Sequence, residues 1–430
     1  MTAEKSSPFP AELFELQRHT FAYFVHEANP ANGLVRDNSR YGAPSSIAAV
    51  GLGLACWPIA VERGIVTRDE AVERVLATLS FFEESEKGEQ PDATGHHGFF
   101  YHFLDLETGR RAHGCELSTM DTTILLAGGL TAAAYFDRDS PKEERIRRLA
   151  DSLYRAAEWE WMLDGANAVR HGWTPEGGFL PFSWRGFSEA LLLYALALGS
   201  PTHAPPAESY AAWTETYEWK CAYGIEYLSG GPLFMHQLSH LWIDFRGIRD
   251  EFMRHHGIDY FENSRRATWV QQRYAKANPQ RFRGYSKDAW GITASDGPGP
   301  AVRRVGGRTR RFYDYCARGA PDGPDDGTLS PWAVVTSLPF APEVVLSTFR
   351  AMLRKHPGIR SRYGFLCSFN PTFDAMRGGW VAKGYYGLDQ GPVVIMIENA
   401  ATGLIWNRMR RCQPLVNGLR RAGFSGGWLG

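Results

Sequence analysis

Two kinds of apolar patterning alternate along this chain, and the alternation narrowly limits how it can fold. Segments near 10–28, 68–87, 142–164, 207–228, 259–277 and 342–356 carry many charges and a one-sided apolar stripe, as helices lying on a core do. Between them, segments near 45–62, 118–136, 187–199, 233–250, 330–339 and 391–406 are apolar on nearly every side. A helix apolar all round is buried all round. The order is outer, inner, six times over, which predicts an all-α fold, an (α/α)6 double barrel. The connections 88–117, 165–186, 278–329 and 357–390 are long and rich in Gly, Pro and aromatics. Such loops in a compact domain usually carry function. The run from Gly95 to Phe103 predicts small strands over one end of the barrel. No sharp linker interrupts the pattern, so residues 1–430 read as one domain.

Charge narrows the function. Lys plus Arg and Asp plus Glu each number 47, which gives no field for nucleic acid or an anionic membrane surface. No apolar run reaches the roughly 18 residues of a membrane span. The six cysteines are scattered without a C-x-x-C pair, which speaks against a zinc ribbon, a redox motif or a disulfide framework. Residues 1–7 show no basic or apolar leader region, so the expected compartment is cytoplasmic. A chain trimmed of its leader would read the same, and would then be periplasmic.

Three carboxylates open inner helices. Ser118-Thr119-Met120-Asp121 precedes Thr122–Leu126, Phe187-Ser188-Glu189 precedes Ala190–Tyr194, and Leu388-Asp389-Gln390-Gly391-Pro392 precedes Val393–Met396. Each alone is explained by capping or by the helix dipole, and Pro392 suits a first helical turn. Three such acids entering buried helices can converge on one cleft. Glycoside hydrolysis needs two: an acid that protonates the leaving oxygen and a base that activates water.

The stretch 234–299 is dense in carboxylates, arginines and aromatic rings. Sugars offer hydroxyls to the first two and C–H faces to the third. Trp290, Tyr285, Trp242 and Tyr386 are candidate stacking platforms, so Trp290→Ala is expected to weaken substrate affinity and spare the melting temperature. His236, Asp244, Arg249, Glu262, Arg266, Asp296 and Glu398 are candidate polar contacts. The i, i+4 pair His236 and His240 on one helix face, with Asp244 a turn further, has metal-ligand spacing. Gln237 stands where a zinc protease keeps its Glu, and a third ligand is missing, so hydrogen bonding is the expected role. Glu398, deep in its helix, needs a partner, for which Arg265 or Arg266 is expected. The basic run Arg303-Arg304 to Arg308-Thr309-Arg310-Arg311 reads as a solvated loop.

The strings HQLSHLWIDFRGIRDEF, DYFENSRRAT, WGITASDGPG, SLPFAPE, LDQGPVVIMIEN and GLRRAGFSGGWL resemble the "glucoamylase-like" domain, whose characterised members are family-144 glycoside hydrolases, endo-β-1,2-glucanases. The resemblance spans about residue 33 to the C-terminus. It implies an (α/α)6 barrel, no metal cofactor, and inverting hydrolysis of β-1,2-glucan to sophoro-oligosaccharides. Its acids map by motif to Asp121, Glu189 and Asp389. The family name reflects a likeness of fold and not starch cleavage.

Within that frame Glu189 is expected to be the general acid, because Phe187 and Ala190-Leu191-Leu192 crowd it and favour its protonated form. Asp389 is expected to be the base, its anion favoured by the helix start, with Asp121 orienting water or substrate. The expected partner is an oligo- or polysaccharide bound by a monomer. Alternatives are an exo-acting, sophorose-releasing enzyme, a transglycosylase, or a non-catalytic carbohydrate-binding barrel.

Overall fold

A computed structural model describes residues 9–430. The fold is mostly helical with short two- and three-stranded ribbons. Among the described residues, no helix is long and apolar enough to cross a membrane.

The all-round apolar segments pack on one another. The helix Ile47–Glu62 lies between Thr119–Tyr135 and Gly387–Ala401. Thr119–Tyr135 touches Leu191–Gly199, which is buried at every position, and Gly387–Ala401 touches Pro331–Thr336. Glycine sets the closest approach. A Cβ on Gly128 would sit 2.0 Å from the Gly51 carbonyl oxygen, so the 47–62 and 119–135 backbones meet without side chains between them. Ser46 and Ser118 cap these two helices by accepting from the N–H groups of Ala49 and Asp121. The charged helices Arg68–Glu84 and Pro141–Arg155 pair outside them. Pro141–Arg155 buries Ile146, Leu149, Ala150 and Leu153 on one stripe.

Several boundaries depart from the sequence pattern. The helix expected over 207–228 spans Glu208–Thr214, followed by a hairpin of Trp219–Ala222 with Ile225–Leu228. Tyr223 and Gly224, both at positive φ, make its two-residue turn. The helix expected over 142–164 ends at Arg155. The last inner helix starts early, at Gly387, so Pro392 lies inside it and not in its first turn.

The segment 233–250 is not one helix. It forms two 3-10 turns, Leu233–His236 and Leu238–Leu241, and then runs irregularly. Side chains from elsewhere take its carbonyls: Trp406 Nε1 donates to His240 (2.7 Å), Asn399 Nδ2 to Leu241 (3.0 Å) and Trp428 Nε1 to Asp244 (2.6 Å). With those acceptors occupied, burial does not require helical bonding. Gln237 reaches across to Pro331–Thr336, donating from Nε2 to the Ala333 carbonyl and to Ser337 Oγ, 2.7 Å each. The expected strands around Gly95–Phe103 are present as Gly95–His96, Phe99–Phe100 and Phe103–Leu104.

Candidate active site

A cavity of about 290 Å³ opens where the inner segments begin. Asp121 reaches it from the first turn of Thr119–Tyr135, Glu189 from just before Leu191–Gly199, and Asp389 from the first turn of Gly387–Ala401. The three sequence-predicted carboxylates therefore meet at one place. Trp184 and His171, stacked with ring centroids 4.0 Å apart, form one wall, and Tyr315 and Trp332 stand on others.

Four polar atoms in this lining are buried and have no partner in the protein: Glu189 Oε2, Asp389 Oδ2, Gln237 Oε1 and Trp332 Nε1. Buried polar groups are normally satisfied, so such a cluster points to a ligand with hydroxyls to offer.

The three carboxyls are electrostatically distinct. Glu189 is pushed up to about 7, chiefly by burial, against a hydrogen bond from its own backbone N–H and with the help of Asp121's charge. Asp389 is also raised well above the usual carboxylate range. Burial dominates there too, the Cys367 thiol opposes it by donating a hydrogen bond, and Asp37 and Asp296 add repulsion. The expectation that the helix start would favour the Asp389 anion is thus corrected: desolvation outweighs the dipole. Asp121 accepts a hydrogen bond from Ser118 Oγ and faces His102 Nε2 at 3.6 Å. His102 Nδ1 bonds Glu116 Oε1 at 2.9 Å. Burial works against the imidazolium, yet Asp121, Glu116 and Asp37 outweigh it and raise His102 to about 9. Asp121 therefore sits beside a cation.

Asp296 and Tyr386 lie close to this group. Arg40 bonds Asp296 and sits 5.7 Å above the Tyr386 ring, which lies 5.8 Å from Tyr315. The other candidates are elsewhere. Trp290 is fully buried, with its Nε1 donating to Thr348 Oγ1 at 2.8 Å, so it is core and not a stacking platform. Tyr285 donates to Asp325 Oδ1 at 2.6 Å in the same core region, and Trp242 is fully buried. Asp244 is held by Arg246 (2.7 Å) and Arg410. Arg249 pairs with Ser425 through backbone, and Glu262 pairs with Arg266 at 3.0 Å. Glu398 bonds Arg63 at 2.6 Å, not Arg265 or Arg266.

His236 and His240 share no helix face, because the chain breaks between their two turns. Burial drives both imidazoles down to about 3. His240 Nε2 bonds Ser264 Oγ at 2.9 Å. No group of three or more His, Cys, Asp and Glu side chains is placed to share a metal ion among the described residues.

Asp37, His102, Glu116, Trp184, Tyr315 and Trp332 went unnoticed in the sequence. Their signal was weak: most sit in long connections whose only mark was aromatic and glycine content.

The Glycoamylase family model, described as "Putative glucoamylase", matches residues 181–413. A Bacteroides uniformis crystal structure of the same description is 30% identical, with a TM-score of 0.86 over 97% of this chain and 98% of that one. A Chitinophaga pinensis endo-β-1,2-glucanase, solved with sophorotriose and glucose, is 27% identical with a TM-score of 0.84, covering 98% and 100% of the two chains. A Parabacteroides distasonis exo β-1,2-glucooligosaccharide sophorohydrolase (non-reducing end) is 29% identical over 94% of this chain. This chain spans 57% of that relative's length.

Proposed function

Because this chain belongs to the glucoamylase-like family, family 144 of the glycoside hydrolases, we propose that it hydrolyses β-1,2-linked glucans at the cavity bounded by Glu189, Asp389 and Asp121. The observation that carries this is the set of unpartnered polar atoms on the two acids, Gln237 and Trp332, four residues that line one cavity. A sugar's hydroxyls and glycosidic oxygen complete such a set, and the Trp184, Tyr315 and Trp332 rings suit its C–H faces.

The chemistry follows from the environments. Glu189, whose pKa of about 7 keeps a substantial protonated fraction near neutral pH, donates its proton to the glycosidic oxygen as the bond to the anomeric carbon breaks. Water attacks that carbon from the opposite face, and its proton passes to Asp389. A base with a raised pKa takes a proton more strongly than a solvated carboxylate, so Asp389's burial aids the step once it is ionised. Asp121, tethered by Ser118 and His102, orients water or a substrate hydroxyl. Solvent returns a proton to Glu189 and removes one from Asp389. The product then has inverted configuration. The scaffold for this geometry is a single (α/α)6 barrel domain, supported by the neighbour-to-neighbour packing of the inner segments.

The test is reducing-sugar release from β-1,2-glucan, with proton NMR of the first product. We expect activity that Glu189→Gln and Asp389→Asn each lower by about 10²–10⁴-fold, and the α-anomer first. The β-anomer first would replace inversion by retention. A second mode, release of sophorose from a chain end, is favoured by the cavity's small volume and by the curated relative's exo activity. Product chromatography separates the two, since internal cleavage lowers polymer size early and end-wise release does not.

A further inference from the structure

The basic run read as a solvated loop is mostly exposed as expected, but it is a hairpin and not a loop: Ala301–Val305 pairs with Arg308–Phe312, turning at Gly306 and Gly307. Its outer part walls a cavity of about 610 Å³. Seven arginines line it (Arg281, Arg283, Arg303, Arg304, Arg308, Arg310 and Arg377), with Asp374 the one carboxylate among the described residues. This concentration stands out on a chain whose net charge is zero. Asp374 pairs with Arg303 at 3.3 Å. The other six make no ion pair among the described residues.

Four of the seven arginines are held by rings, carbonyls or Asp374. The Arg310 guanidinium lies 4.4 Å from the Phe282 ring centroid and donates from Nη2 to the carbonyls of Gln280 (2.8 Å) and Arg281 (3.2 Å). Arg283 Nη1 donates to the Ala375 carbonyl at 3.3 Å, and Arg308 Nη1 to the Gln280 carbonyl at 3.4 Å. Arg303 lies 4.5 Å from the Phe373 ring centroid. Arg310 Nε is buried with no acceptor. Burial and then the charge of Arg308 lower the Arg310 pKa, with the more distant charge of Asp325 acting in the other direction. Holding guanidiniums together costs Coulomb energy that a bound anion recovers.

We propose that this arginine-lined cavity is an anion site for a compact ligand bearing phosphoryl groups. The planar guanidinium fork matches phosphate oxygens two at a time, and several forks around a concave space suit a multiply charged anion. The site is independent of the hydrolytic cavity and shares no lining residue with it. The phosphoryl group can belong to a small soluble anion or to a lipid headgroup, and the concave shape favours the former.

Calorimetric titration with pyrophosphate tests the site, alongside co-sedimentation with phosphatidylglycerol vesicles. Full-length wild type is compared with Arg304→Glu/Arg308→Glu and with Arg145→Glu, a charge reversal elsewhere. We expect pyrophosphate binding that weakens at least tenfold in the double variant and not in the control. β-1,2-Glucan hydrolysis and melting temperature should stay unchanged in the double variant. Vesicle binding that pyrophosphate displaces assigns the headgroup as the source, and its absence assigns a soluble ligand. If wild type binds neither probe, or the double variant binds as tightly as wild type, the site is overturned. Should the double variant fail to fold, Arg304→Ala alone, with the same comparison, decides.

Discussion

Glu189 and Asp389 of the cavity and the carboxylates of the 244–262 stretch all stand among aromatic and apolar residues in the sequence, but their oxygens are treated in opposite ways. Asp244 is held by two arginines, Asp250 accepts from Tyr210 and Tyr260, Asp259 accepts from two backbone N–H groups, and Glu262 pairs with Arg266. Glu189 and Asp389 each leave an oxygen without a protein partner. A satisfied carboxylate stiffens a fold, while an unsatisfied one costs stability and is kept where a ligand completes it. Density of acids and rings in sequence does not distinguish the two. Partner count does.

The sharpest way to break that contrast is Glu189→Gln. Turnover on β-1,2-glucan should fall by about 10²–10⁴-fold, the usual worth of a positioned acid. Near-normal turnover would remove Glu189 from the mechanism. Trp290→Ala should do the reverse. Truncating a fully buried Trp costs about 3–5 kcal/mol, so its melting temperature should drop sharply while the folded fraction keeps its turnover. A selective loss of substrate affinity at unchanged stability would restore Trp290 as a stacking platform.

Proton linkage sharpens the same comparison. Glu189 has its pKa raised from 4.5 to about 7, so the folded state holds its proton more tightly than the unfolded state does. Its contribution to stability is present below about pH 4.5 and is lost as pH rises toward 7. Glu189→Gln should flatten that window, melting higher than wild type at pH 8, and wild-type kcat should decline above pH 7. A variant that melts lower at pH 8 would mean that Glu189 is a satisfied structural carboxylate. The smallest effect is expected for Glu262→Ala, about 0.5 kcal/mol by denaturant unfolding, because its ion pair is partly exposed. A loss of several kcal/mol there would make the 244–262 pairs more than surface trimming.

Much of this was legible in the chain. All-round apolar segments located most buried helices, and acids at their starts located the cavity, because capping chemistry and burial both leave local marks. The 233–250 segment was misread because its carbonyls are taken by Trp406, Asn399 and Trp428, residues more than 150 positions away. The 207–228 segment hid a hairpin behind a helix-like apolar spacing, and its turn pair Tyr223-Gly224 lacks the Asn-Gly or Asp-Gly that marks such a turn in sequence. His102 and Asp37 act on the site through space, so no spacing in the sequence reveals them. Asp389 shows the same limit for electrostatics. Its helix-start position is local, but its desolvation is made by the whole fold.

A crystal structure of Glu189→Gln with a bound β-1,2-linked gluco-oligosaccharide tests the central claim most directly. The account predicts a glycosidic oxygen within hydrogen-bond reach of the residue-189 side chain, a water near Asp389 on the opposite face of the sugar ring, and sugar hydroxyls bonded to Gln237 and Trp332. An oligosaccharide seated against Trp290, Tyr285 or Asp244, with this cavity vacant, would contradict it.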